Sequence, residues 1–195
     1  KYEHFYHFDF SGVRAIPYPA GPEWFSEAAI DSGKKSATIL FVGRLELKSG
    51  PHVLLQAMQK ILGESPDANF IFAGDDCGLQ QHCEDIVADS GMSHKVTFNA
   101  GLSHDQIVEH FRSATVCVFP ALWENYPYPC LEAMAAGCAV VACNVGGFRD
   151  IIEDRVSGIL VVAGDSDALA DAVTEIISND KLRNSLRQNS PGRIR

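Results

Sequence analysis

Short runs rich in β-branched and aromatic residues alternate along this chain with longer runs whose apolar positions recur at helical spacing. ATILFVG (37–43) leads to GPHVLLQAMQKIL (50–62), and NFIFAG (69–74) leads to LQQHCEDIVADS (79–90). VTFNAG (96–101) precedes HDQIVEHFRSA (104–114), and TVCVFP (115–120) precedes a loop and then CLEAMAAG (130–137). AVVACN (139–144) leads to GGFRDIIED (146–154), and GILVVAG (158–164) leads to DALADAVTEIIS (167–178). The strand runs are apolar enough to be buried on both faces. Such strands alternating with helices predict an α/β fold, a doubly wound parallel sheet of about six strands. Right-handed crossovers put every strand-to-helix loop at the carboxyl edge, where folds of this kind take their ligands. The loops after residues 43, 74, 101, 120 and 145 are therefore expected to face one crevice.

Residues 1–25 break the pattern. They are aromatic-rich, punctuated by Pro17, Pro19 and Pro22, and lack a regular period. This stretch reads as the tail of a preceding domain plus an interdomain linker, with residues 26–195 as the domain proper. The chain begins with Lys rather than Met and stops at PGRIR, so it is expected to be a piece of a longer protein.

Composition narrows the function classes. A length of 195 residues fits one domain, and 46% apolar with 21% charged residues is a globular composition. A net charge of −9 argues against a nucleic-acid partner or a general anionic-membrane binder. It leaves room for a small anion held by local cations. The six cysteines, at 77, 83, 117, 130, 138 and 143, form no Cys-x-x-Cys pair and read as small buried hydrophobes of a cytoplasmic protein. His82 beside Cys83 lacks the two further ligands zinc would need, so the pair is not read as a zinc site. No run is long and apolar enough to be a membrane span.

Candidate chemistry lies on the loop edge. In GRLELKSG (43–50), Arg44 and Lys48 stand beside a helix start, an arrangement suited to a phosphate or diphosphate, or simply a charged solvated loop. Glu132 is expected in the first turn of a helix opening at Pro129, where the helix dipole favours a carboxylate or where a ribose diol could be held. Glu124 sits in a loop with bulky neighbours and has no capping role to explain it. Asp75–Asp76 and Asp165–Asp167 read as helix caps rather than metal ligands. Gly146–Gly147 reads as a tight turn. The seven histidines are scattered and form no triad.

Taken together, several segments resemble a known family. They are GRLELKSG, FNAGL (98–102), Glu124 and Glu132 with seven residues between them, AMAAGCAVVACNVGG (133–147), RDIIEDRVSGILV (149–161) and DALADAV (167–173). This looks like the C-terminal, donor-binding domain of the retaining glycosyltransferases called group 1 or family 4. Those enzymes have the two-domain GT-B fold, of which this chain would be the Rossmann-like second half. The resemblance implies a nucleotide-diphosphate sugar as substrate and no cofactor or metal. By that resemblance Glu124 meets donor-sugar hydroxyls, Glu132 holds the ribose, and Arg44 and Lys48 neutralise the diphosphate. Gly43 borders the same site. Backbone amides of Asn125, Tyr126 and Tyr128 line sugar and phosphate, and the base sits near Gly74 and Gly101–Leu102. Glu124 is not read as a nucleophile.

Two departures from the family pattern stand out. The family lysine usually directly precedes the glycine, where this chain has Ser49, so Lys48 comes one position early. The usual Glu-Gly-aromatic-Gly loop reads Glu124-Asn125-Tyr126-Pro127, and Pro127 has no N–H to donate. By the same resemblance, the chain is expected to stop about where a final helix would begin to cross back to the first domain. The N-terminal acceptor domain is then absent, any membrane association resides in that half, and the fragment alone transfers nothing. Other readings remain: a nucleotide-sugar epimerase half, a phosphoacceptor receiver module, or a catalytically degenerate nucleotide-binding or interaction domain. A receiver needs an acidic pair after its first strand, where this chain has Gly43–Arg44. Ser49 is the best support for the degenerate domain.

Overall fold

The structure is a computed structural model that describes Trp24 and residues 36–193, so the expected linker, Trp24 apart, lies outside the described residues. The strands are β1 (Thr38–Val42), β2 (Asn69–Ala73), β3 (Val96–Asn99), β4 (Val116–Phe119), β5 (Val140–Cys143) and β6 (Ile159–Val161). Between and after them run α1 (Pro51–Glu64), α2 (Gln80–Asp89), α3 (His104–Ser113), α4 (Tyr128–Ala135), α5 (Phe148–Ile151), α6 (Ser166–Ser178) and α7 (Asp180–Arg193). All strand pairs are parallel, in the order β3-β2-β1-β4-β5-β6. The strand–helix alternation and the doubly wound parallel sheet therefore stand as the residue pattern predicts.

The sheet is covered on both faces because its strands carry apolar residues at successive positions. One face packs Ile39, Phe41, Phe70 and Phe72 against α1, α2 and α6. The other packs Leu40, Val42, Cys117 and Phe119 against α3, α4 and α5, with Trp24 at its margin. In register across three strands, Phe41 meets Phe72 and Phe72 meets Phe98, with ring centroids 5.5 and 5.2 Å apart. Fully burying a side chain of this size contributes about 1.5–3 kcal/mol. Burial on both faces fails at β3, whose residues are half-buried or exposed because it forms one edge of the sheet.

The last described helix, α7, occupies Asp180–Arg193. It is held largely by polar anchors. Arg183 Nη1 donates to the carbonyls of Ile176 and Ile177, Arg187 Nη2 to that of Ala114, and Ser190 Oγ to that of Ser157. Both arginines therefore satisfy carbonyls at the C-terminal ends of neighbouring helices, where the dipole favours a cation. Among the described residues no helix is long and apolar enough to cross a membrane.

Candidate functional site

The order of strands reverses between β1 and β4, and in such sheets the crevice opens outside the carboxyl ends at that point. A cleft of about 310 Å³ lies there. It brings together Gly43, Arg44 and Lys48 from the loop after β1 with Glu124, Tyr126 and Tyr128 from the loop after β4.

Backbone contacts fix the two loops to each other. The Leu122 N–H donates to the Lys48 carbonyl at 2.8 Å. Gly50, at φ 72°, lies so close to the Pro120 carbonyl that a Cβ there would fall 2.0 Å from its oxygen. Gly50 also ends the short 3-10 turn Leu47–Ser49 and caps α1, whose first residue is Pro51. A left-handed residue with no room for a side chain must be glycine.

On the cation arm, Glu46 lies between the two basic residues. Its Oε1 is 2.9 Å from Arg44 Nη2 and 3.6 Å from Lys48 Nζ. Lys48 Nζ also stands 5.8 Å from the centre of the Trp123 ring. Lys48 thus lines the cleft although it comes one position early, and Ser49 lines it as well. Glu46 and Trp123 escaped the sequence reading. The alternation Arg44-x-Glu46-x-Lys48 is the local signal that marks the first, and nothing in the sequence marks the second.

On the carboxylate arm, Glu124 is half-buried, and its Oε1 accepts the backbone N–H groups of Asn125 at 2.8 Å and Tyr126 at 3.2 Å. The N–H of Tyr128 donates to the Tyr126 carbonyl at 3.1 Å. All three amides expected at a ligand therefore have partners within their own loop. The loop is pressed from below by the turn after β5. A Cβ on Gly146 (φ 46°) would fall 1.5 Å from the Glu124 carbonyl oxygen, and one on Gly147 would fall 2.5 Å from that of Asn125.

Glu132 requires a correction. It is the fifth residue of α4, beyond the first turn, because the helix opens at Tyr128 rather than Pro129. The dipole effect fades within the first turn, so capping does not explain this carboxylate. Helical spacing sets it one turn beyond Tyr128 on the same side, half-buried and outside the residues that line the cleft. Gly74, Gly101 and Leu102 likewise lie beyond that lining, along the same loop edge. Gly74 touches the Gly43 carbonyl, and Asp75 Oδ1 accepts the Gly101 N–H at 3.1 Å, which ties the loops after β1, β2 and β3 in a row.

The remaining sequence candidates have structural roles. Asp76 Oδ1 accepts the N–H groups of Gly78, Leu79 and Gln80, and Asp165 caps α6 through Ala168. Five cysteines are buried, whereas Cys77 is exposed on the loop after β2, contrary to the uniform burial expected of all six. Burial pushes the thiols of Cys83, Cys138 and Cys143 up to about 11, and those of Cys117 and Cys130 higher still. Among the described residues no three His, Cys, Asp or Glu side chains cluster as a metal set would.

Fold and cleft together define a doubly wound α/β domain whose switch-point crevice is lined by Arg44, Lys48, Glu46 and Glu124. The model of the glycosyl transferases group 1 family matches residues 22–193, and the chain belongs to that family, its sheet being a C-terminal domain of GT-B type. An uncharacterised glycosyltransferase of Methanocaldococcus jannaschii is 37% identical over 152 residues, which cover 78% of this chain and 38% of that protein. The chain thus spans about two-fifths of the length of that curated relative. Sucrose-phosphate synthase from Thermosynechococcus elongatus superposes with a TM-score of 0.83 and 26% identity, over 93% of this chain and 47% of its own. Anabaena HepE, solved in complex with UDP and glucose, superposes with a TM-score of 0.76 over 81% of this chain and 43% of its own. At 21% identity that is a likeness of fold.

Proposed function

We propose that this chain is the donor-binding half of a retaining glycosyltransferase, taking a nucleotide-diphosphate sugar, while an acceptor half elsewhere in a longer protein completes the enzyme. The observation that carries this reading is the single cleft that joins Arg44 and Lys48 to Glu124 and its tyrosines. When the bond from the anomeric carbon to the diphosphate breaks, its electron pair goes to the departing oxygen. Two cations aimed at that oxygen stabilise the developing charge. The acceptor hydroxyl forms the new bond to the same carbon, and its proton passes to the departing diphosphate oxygen. Glu124 and the amides of Asn125 and Tyr126 satisfy one another in the free domain. Each also matches a sugar hydroxyl, which both donates and accepts. Glu132, one turn along α4, is assigned to the ribose, and Gly74, Gly101 and Leu102 to the base.

Because Arg44 and Lys48 do the charge work a divalent ion would do, binding is expected to survive a chelator. Calorimetric titration with UDP, GDP and ADP tests the reading. One nucleotide should bind with or without chelator, and Arg44→Ala should weaken it by about tenfold or more. The reading fails if a folded sample binds none of the three, or if Arg44→Ala and Glu132→Ala both leave binding unchanged. A binding-only domain is the second reading, favoured by Glu46, which pairs with both cations. A transfer assay on the longer protein separates the two.

A further inference from the structure

We infer that Trp123 is a positioning residue that holds the Lys48 ammonium at the mouth of the cleft, where it meets the diphosphate of the donor; the diphosphate part rests on the function proposed above. Lys48 belongs to the 3-10 turn Leu47–Ser49, and its side chain is 43% exposed. Nothing in such a turn would by itself stop a lysine stem from swinging into solvent, since its rotamer freedom is large. Two contacts oppose that swing. The Lys48 carbonyl accepts the N–H of Leu122, the residue before Trp123, at 2.8 Å, which ties the backbone of the turn to that of the indole's loop. The Nζ then lies 5.8 Å from the centre of the Trp123 ring, within reach of a cation–π attraction.

Trp123 has no core role that would account for it. It is 61% exposed, whereas the loop residues on either side of the Leu122–Trp123 pair, Ala121 and Glu124, are buried and half-buried. Glu46 lies on the other side, with its Oε1 3.6 Å from the ammonium. The lysine is therefore bracketed by a carboxylate and an indole face, and it lines the cleft with Ser49. Ser49 is half-buried where Lys48 is exposed, so a lysine placed there would start deeper in the cleft wall and would not need the indole. These relations make Trp123 specific to where this chain keeps its lysine.

The test has two readouts. In the free protein, the ε-methylene protons of Lys48 should show an upfield ring-current shift in NMR spectra. That shift should persist in Trp123→Phe and vanish in Trp123→Leu. Its absence from the wild-type protein overturns the positioning, whatever nucleotides do. The second readout is affinity for whichever of UDP, GDP and ADP binds tightest. Trp123→Leu should weaken it about three- to fivefold, Trp123→Phe should retain most of it, and Ser49→Lys should restore it in the Trp123→Leu background. In a Lys48→Met background, Trp123→Leu should add nothing. An equal loss there would overturn the proposal, because the indole would then be touching the nucleotide sugar itself. If the ring-current shift is present but no nucleotide binds, the positioning stands and the donor-site reading falls.

Discussion

Across the cleft, the loop after β1 offers long, exposed side chains, whereas the loop after β4 offers a clamped backbone. Arg44 and Lys48 are 60% and 43% exposed and are linked through Glu46, which is half-buried with its Oε1 shielded from solvent. Pairs with a solvent-exposed cation contribute about 0–1 kcal/mol to stability, so Arg44 and Lys48 can be altered at little cost to the fold. The opposite arm carries Glu124 folded back on its own amides, with Gly146 and Gly147 tight beneath it. Changes there should reach the fold and the ligand together. One arm supplies charge, and the other supplies shape.

The largest expected effect falls on the clamped arm. Gly146→Ala should cost about 2–4 kcal/mol in urea unfolding and abolish nucleotide binding, since its Cβ would sit 1.5 Å from the Glu124 carbonyl oxygen. Gly101→Ala is the control. It shares a left-handed backbone, φ 64°, but has open space around it, and should lose only about 1–2 kcal/mol. Equal losses at the two positions would remove the clamp from the account.

On the charged arm, Glu46→Gln should do the reverse of damage. It removes the carboxylate that competes with a diphosphate for both cations, so nucleotide affinity should rise about threefold at low salt, less at high salt. Unfolding should shift by no more than about 1 kcal/mol. A loss of affinity would make Glu46 a required support instead.

Thiol labelling sharpens the contrast between open edge and clamped interior. A disulfide reagent should modify Cys77 in the native protein and leave Cys130, buried in α4, untouched until unfolding. Rapid native labelling of Cys130 would mean that the arm above it opens.

The smallest effect concerns pH. His52, in the first turn of α1, is held below its ordinary value of 6.5, first by burial and then by the charge of His82. Below that value the unfolded chain therefore binds more protons than the folded one, so stability falls as pH drops from about 6.5 and is unaffected above it. His52→Gln should flatten that part of a urea-unfolding series between about pH 5 and pH 8.

Much of this was legible from residues alone, for a physical reason. Strands such as VVAC (140–143) are buried on both faces and leave an unbroken apolar run, and parallel topology then fixes which loops share an edge. Arg44, Lys48 and Glu124 could be singled out because their side chains carry the chemistry. What was hidden lies in the backbone or in long-range contact. The sequence marks Gly146–Gly147 as a turn but not as the floor under Glu124. Asp180–Arg193 is too polar to announce a packed helix, because arginines bonded to carbonyls at the ends of α6 and α3 do much of the anchoring. Glu132 was misplaced by a helix that opens one residue earlier than Pro129, at Tyr128.

The central claim is that the two unlike arms form one nucleotide-sugar site. Amide chemical-shift mapping of the domain during titration with UDP, GDP and ADP tests it most directly. The account predicts that one nucleotide perturbs residues 43–50 and 124–132 together, with smaller changes at Gly74 and Gly101. Perturbations confined to one arm, or centred on α6 and α7 away from the switch point, would contradict it.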